Sequence, residues 1–207
     1  MLNLRKITQE ELNEIIKNHQ HYLNKDCDGW EKMQADLSYM DLSYMDLSYA
    51  NLSYANLFIT DLSYANFSHS NLSYAKLFHA DLYYADLSYA ILSYANLSHA
   101  YLEHADLTNA DLSYTDLSYA SLFYVNLAYA KLCHVNLTST FLYHTDLTDV
   151  QHDDTVSFFP PQFPEKGSSI GYKKPADKII KLQIEEYNKR LLDTTKTEDS
   201  DENKWQR

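Results

Sequence analysis

From Leu37 to Leu147 a large apolar side chain returns at every fifth position, 23 times without a skipped beat, leucine throughout except at Phe67. A step of five turns an α-helix by about 140°, which would scatter these residues around its whole circumference. On a flat strand an odd step would send successive leucines to opposite faces. A chain that bends between five-residue units buries them all. Each unit is then one short side of a polygon with its leucine aimed at a shared axis, and stacked turns pair backbone with backbone at about 4.7–4.9 Å. The pattern predicts a solenoid and leaves the number of its sides open.

The remaining places in the unit are equally regular. The position two before the leucine is alanine in 14 of 23 cases and otherwise Thr, Ser, Val or Met. The position just before it is Asp or Asn in 17, and after it come Ser in 12 and then Tyr or His in 19. No glycine or proline interrupts the array. A type II turn would need φ > 0 at the residue two after the leucine, and tyrosine disfavours that region, so type I or miscellaneous turns are expected.

The flanks differ in kind. Residues 8–23, TQEELNEIIKNHQHYL, carry a capping box in Thr8 and Glu11 and an apolar stripe of Leu12, Ile15, Ile16, His19 and Leu23 at helical spacing. They predict an amphipathic helix covering the first open end of the solenoid, where strand edges and core leucines would otherwise invite end-to-end stacking. All four prolines lie in the C-terminal segment, so the repeat architecture is expected to end at about Gln151. Alternation at Ile180, Leu182 and Ile184 favours a small hairpin over residues 168–184, and residues 193–207 are polar throughout. The expected organisation is a helix and linker over 1–34, the solenoid over 35–150, a capping segment over 151–192 and a tail over 193–207.

The run ADLSYAILSYANLSHA closely resembles the pentapeptide-repeat family over residues 35–149. That resemblance implies a right-handed four-sided parallel β-helix, an all-β solenoid, with residues 20 apart stacked on one face and just under six coils. EELNEIIKNHQHYLNKDCDGW before the repeats and FPEKGSSIGYKKPADKIIKLQIEEYNKR after them resemble the flanks of a group of bacterial and phage members. No activity is implied by that group.

Net charge is −12, and 14 acidic side chains between Asp36 and Asp154 against Lys76 and Lys131 place all of it on the repeats. Direct binding to nucleic-acid phosphates or to an anionic membrane is disfavoured. No signal-peptide core and no long apolar run is present, so a cytosolic protein is expected. Cys27 and Cys133 are read as free thiols.

Four-sided stacking would align Tyr54, Tyr74, Tyr94, Tyr114 and His134 in one column, and Tyr44, Tyr64, Tyr84, His104, Tyr124 and His144 in another. These columns read as ring ladders that shield the backbone. Asp46, Asp86, Asp106 and Asp146 would form an acidic face with Asn66 and Asn126 between them. Two readings of it are open: a solubility device, or mimicry of DNA towards DNA gyrase, as the resemblance to fluoroquinolone-resistance members implies. Aromatic residues replace polar ones at Tyr83, Tyr101, Phe123, Phe141 and Tyr143 on one face, and Phe58, Ile59 and Phe78 break the pattern on the next. This patch is a candidate contact surface, covered either by the chain's own Phe158, Phe159 and Phe163 or by a partner.

No metal or cofactor is predicted. Asn24, Asp26 and Asp28 imitate the start of a calcium loop, yet Ala35 stands where its bidentate Glu is required, and His79 with His99 makes only two zinc ligands. No nucleophile elbow or phosphate-binding loop occurs, so the chain reads as a non-enzyme, monomeric or weakly dimeric, with an unidentified protein partner.

Overall fold

The computed structural model describes residues 4–142, 144–153 and 156–159. Its architecture follows from where five backbone N–H groups per unit find acceptors. In the unit Ala95–His99, the Asn96, Leu97 and His99 N–H groups donate to neighbouring turns of the solenoid, to Ala75 O at 3.0 Å, Asp116 O at 2.7 Å and Ser118 O at 2.9 Å. Ala95 N–H closes a β-turn onto Leu92 O at 2.9 Å. Ser98 N–H is taken by the side chain of Asn96 at 2.9 Å. All five are satisfied within the array.

The register is constant. Parallel bridges join residue i to i+20, from Asp36↔Asn56 to Lys131↔Gln151. Twenty residues divided by five-residue units gives four sides per turn, so the chain is a quadrilateral parallel β-helix. Leu77 N–H donates to Asn96 O, which sets Leu97 in the turn next to Leu77 on the same side. The core is the stack of leucines, 0–1% exposed from Leu37 to Leu132, lined by the small residues two places before them. Where threonine stands in that small column its hydroxyl is satisfied internally: Thr60, Thr115, Thr140 and Thr145 each donate at 2.8 Å to a leucine carbonyl 23 residues back.

The expectation of type I turns is corrected. All 23 residues two after the core position, Tyr39 through Asp149, have φ between +52° and +65°, while none of the described residues just before them has positive φ. Negative followed by positive φ is the sign pattern of a type II turn. A left-handed non-glycine residue costs about 1–2 kcal/mol. Here the closing bond, the inter-turn bonds on both sides and the stacking of the rings over-determine the conformation, so tertiary context overrides the preference of tyrosine.

The N-terminal segment packs on the first repeats. Strand β1 (Arg5–Lys6) pairs in parallel with β2 (Met40–Asp41). Helix α1 (Gln9–Asn24) starts at the predicted capping box, with Glu11 N–H on Thr8 Oγ1 at 3.2 Å and Thr8 N–H on Glu11 Oε2 at 2.8 Å. Leu12 and His19 are buried, and Ile15 and Ile16 pack on the core.

Polar side chains of α1 take the backbone groups that the first turn leaves open. Gln9 acts as a surrogate strand residue, accepting from Asp46 N–H at 2.9 Å and donating to Asp46 O at 2.8 Å. Gln20 donates to Asn51 O at 3.2 Å. His19 is bonded on both ring nitrogens, Nε2 to Ser53 O at 2.9 Å and Nδ1 accepting from Ala35 N–H at 3.1 Å.

At the other end the repeat register persists to Gln151, whose N–H donates to Ala130 O at 2.8 Å. Strand β3 (Asn136–Thr138) then pairs in parallel with β4 (Ser157–Phe159). The expected hairpin over 168–184, the tail over 193–207, Phe163 and Tyr143 lie outside the described residues.

Candidate interaction surface

Each side of the β-helix takes the name of one of its core leucines. On the Leu82 side the column before the core runs Asp41, Asp61, Asp81, Tyr101, Ser121, Phe141, joined by successive bridges. The column after the core runs Ser43, Ser63, Tyr83, Glu103, Phe123. This side is therefore acidic and hydroxylic in its first half and aromatic in its second.

Tyr83 is 38% and Tyr101 51% exposed. The Tyr83 ring stands edge-on to Tyr84 and Tyr64, at centroid distances of 4.5 and 5.8 Å. Phe123 and Phe141 are half-buried and their rings meet at 5.8 Å. Glu103, which the sequence pattern does not single out, sits between Tyr83 and Phe123 and accepts a hydrogen bond from the Ser121 hydroxyl. Burial pushes the Asp81 carboxyl up, and the negative charges of Asp61 and Glu103 add to the rise against the hydrogen bond from Tyr83 N–H. The boundary between the two halves is thus a partly dehydrated carboxylate beside exposed phenols.

Phe58, Ile59 and Phe78, on the neighbouring Leu77 side, are all half-buried. Phe58 and Phe78 stack at 5.7 Å, and Tyr39 meets Phe58 edge-on at 5.3 Å. His79 and His99 lie 4.9 Å apart with the Phe78 ring against both. The rings of this group pack on one another, on the side next to that of Tyr83 and Tyr101.

The acidic residues Asp46, Asp86, Asp106 and Asp146 do share one column, on the Leu87 side. Each also has a local task. Their carboxylates accept from the N–H groups of Ser48, Ser88, Thr108 and Thr148 at 2.9–3.0 Å, the bond that Asn96 makes in its own unit. The Ser48 hydroxyl and N–H hold the Asp46 carboxyl below the usual carboxylate range. The Asp/Asn-x-Ser spacing that signals this bond is present in the sequence, where it reads equally well as a surface-charge pattern.

Both ring columns form. Tyr54, Tyr74, Tyr94, Tyr114 and His134 stack at 4.4–4.8 Å with planes within 14°. Tyr44, Tyr64, Tyr84, His104, Tyr124 and His144 do so at 4.5–5.3 Å. Among the described residues no helix is long and apolar enough to cross a membrane.

Comparison with known proteins agrees with this geometry. Pentapeptide repeats, in eight copies, match residues 33–58, 60–93, 90–123 and 115–150. No curated protein matches the chain. Among solved structures it is similar to HetL, a pentapeptide repeat protein involved in heterocyst differentiation regulation from the cyanobacterium Nostoc, at 32% identity over 67% of each chain with a TM-score of 0.37. A pentapeptide repeat protein of the Arabidopsis thaliana thylakoid lumen is 33% identical over 49% of this chain and 68% of its own, TM-score 0.37. Full-length QnrB1, a plasmid-mediated fluoroquinolone resistance protein, is 19% identical over 74% of this chain and 85% of its own, TM-score 0.29. With more than half of its residues matched by the repeat and a four-sided coil of five-residue units, the chain belongs to the pentapeptide-repeat family and to its right-handed β-helix fold.

Proposed function

We propose that this chain is a non-enzymatic, cytosolic protein-binding rod of about six coils, capped at its first coil by α1, with the Leu82 side as its docking surface. The observation that carries this reading is the pair Tyr83 and Tyr101, 38% and 51% exposed where other units place serine and aspartate. Phenols of this kind bury a large apolar area while keeping a hydrogen-bonding tip, which is why tyrosine dominates binding hot spots. Glu103 and Asp81 beside them favour a partner that supplies a basic or hydrogen-donating group within an apolar pocket.

The test restores the repeat consensus. Tyr83→Ser combined with Tyr101→Asn is expected to leave circular dichroism and melting unchanged while abolishing affinity capture of the partner from a native lysate. Capture that survives in this double variant overturns the reading. A second reading, modulation of DNA gyrase by DNA mimicry, draws on the carboxylate column of Asp46, Asp86, Asp106 and Asp146. Since each of those carboxylates already serves its own backbone, it ranks behind. Supercoiling by gyrase that is unaffected by micromolar protein removes it. Failure to capture any protein in either form would favour a purely structural, phage-associated role.

A further inference from the structure

The loop that leaves α1 gathers three metal-ligating atoms on one side of the helix end, apart from the docking surface. We propose that His21, Asp26 and Cys27 form a binding site for a divalent transition-metal ion of the zinc class. His21 lies in the last turn of α1. Lys25 ends the helix in the left-handed conformation, φ 54°, with its N–H on His21 O at 2.8 Å, and so folds the chain back on that turn. The following two residues therefore return to His21. Asp26 Oδ1 comes to 2.7 Å from His21 Nδ1, and the nitrogen, the carboxylate oxygen and the Cys27 sulfur all lie within 4.8 Å of one another.

The surroundings are those of a prepared site. Asn24 Nδ2 donates to the other carboxylate oxygen, Oδ2, at 3.3 Å, which fixes the carboxylate with Oδ1 towards the imidazole. Outer-shell bonds of this kind orient metal-binding carboxylates. Met33 Sδ lies 3.7 Å from Cys27 Sγ and surrounds the thiol with soft, polarisable atoms. The site sits at the C-terminal end of α1, where the helix dipole favours positive charge.

The donor set selects the ion. Calcium and magnesium require oxygen throughout, and the structure pairs Asp26 with an imidazole and a thiol in place of the oxygen set Asn24, Asp26 and Asp28. Nitrogen, sulfur and one carboxylate suit zinc, with ligand distances of about 2.0–2.3 Å. Reaching them needs side-chain shifts of about 1 Å at partly exposed residues, and three protein ligands leave a fourth position for water. On binding, the Cys27 thiol gives up its proton to solvent, and the proton that His21 Nδ1 directs at the Asp26 carboxylate leaves as well. The sulfur–metal and nitrogen–metal bonds form, the neutral imidazole carries its single proton on Nε2, and no electron is transferred. The ion would clamp the end of α1 to the loop that leads into the first repeat.

Cobalt(II) serves as the spectroscopic probe. Titration of the reduced full-length chain is expected to give a thiolate-to-cobalt charge-transfer band in the near ultraviolet that saturates at one equivalent and is displaced by zinc. Cys27→Ser should abolish the band, and His21→Gln or Asp26→Asn should weaken cobalt binding at least tenfold. Cys133→Ser and His79→Gln should leave it unchanged, with circular dichroism reporting that every variant is folded. Absence of the band in the unaltered chain, its loss in Cys133→Ser, or unchanged binding in His21→Gln would overturn the site.

Discussion

A single residue type explains most of the backbone economy of this protein. Where Asp or Asn precedes the core residue, as in 17 of 23 units, it can accept the one N–H that neither the β-turn nor the neighbouring coils reach, as Asp36 does for Ser38, Asn66 for Ser68 and Asp116 for Ser118. Carboxylate and amide oxygens serve equally, so the two alternate freely along a column and charge is incidental to the task. Ile91 occupies this place with 44% exposure and offers no acceptor to Ser93 N–H. Ile91→Asn should therefore stabilise the protein by about 0.5–1 kcal/mol, the net worth of one hydrogen bond, whereas Ile91→Ala should not. Chemical denaturation of the two variants side by side checks this. The expectation for tyrosine fails at the same scale: propensity argues against φ > 0 for each residue taken alone, and the bonds to neighbouring turns reverse it, at Ile59 and Asn109 as well as at the rings.

Among the elements, α1 is the most legible in the sequence. Its capping box and its apolar stripe stand at the expected residues. Its edge-sealing chemistry is not legible there. Gln9 and Gln20 look like ordinary solvent-facing residues in a helical wheel, and their role emerges only once the open backbone of Asp46 and Asn51 lies opposite them. His19 reads as part of the apolar stripe and is in fact a buried polar bridge between Ser53 O and Ala35 N–H. Its burial pushes the imidazole below its ordinary value, against the hydrogen bond to Ser53. His19→Phe keeps the ring and removes both bonds. It is expected to cost about 2–3 kcal/mol because two buried backbone groups lose their partners. Thermal melting monitored at the helical far-ultraviolet signal measures the loss, and a change below about 0.5 kcal/mol would mean that water replaces the ring.

At the scale of the whole molecule, charge is the unbalanced quantity: a net of −12 is carried on a stack whose like charges repeat at sheet spacing. Asp81 shows the consequence. Its folded value is raised, so ionising it opposes folding at neutral pH, and that cost disappears as pH falls through the raised value and then below the unfolded value of about 3.9. Asp41 and Asp46 have lowered folded values, so they stabilise the fold above about pH 4 and lose that contribution in acid. Asp81→Asn keeps the acceptor for Tyr83 N–H and removes the repulsion. It should stabilise by about 0.5–1 kcal/mol at pH 7, with no advantage left at about pH 3. Denaturation midpoints at the two pH values decide it, and an equal gain at both would point to packing instead of charge.

What the amino-acid order settles by itself is the coil: a leucine every fifth residue has no home on a helix or a flat strand, and small residues beside it leave room only for a tight, bending backbone. Periodicity also predicts which side chains share a column once the number of sides is known. The tertiary structure alone decides how the turns are made, which helical side chains seal the first edge, and that His21 meets Asp26 and Cys27. Those outcomes depend on groups far apart in the chain or on a local backbone reversal, and hydrophobic spacing carries no information about either.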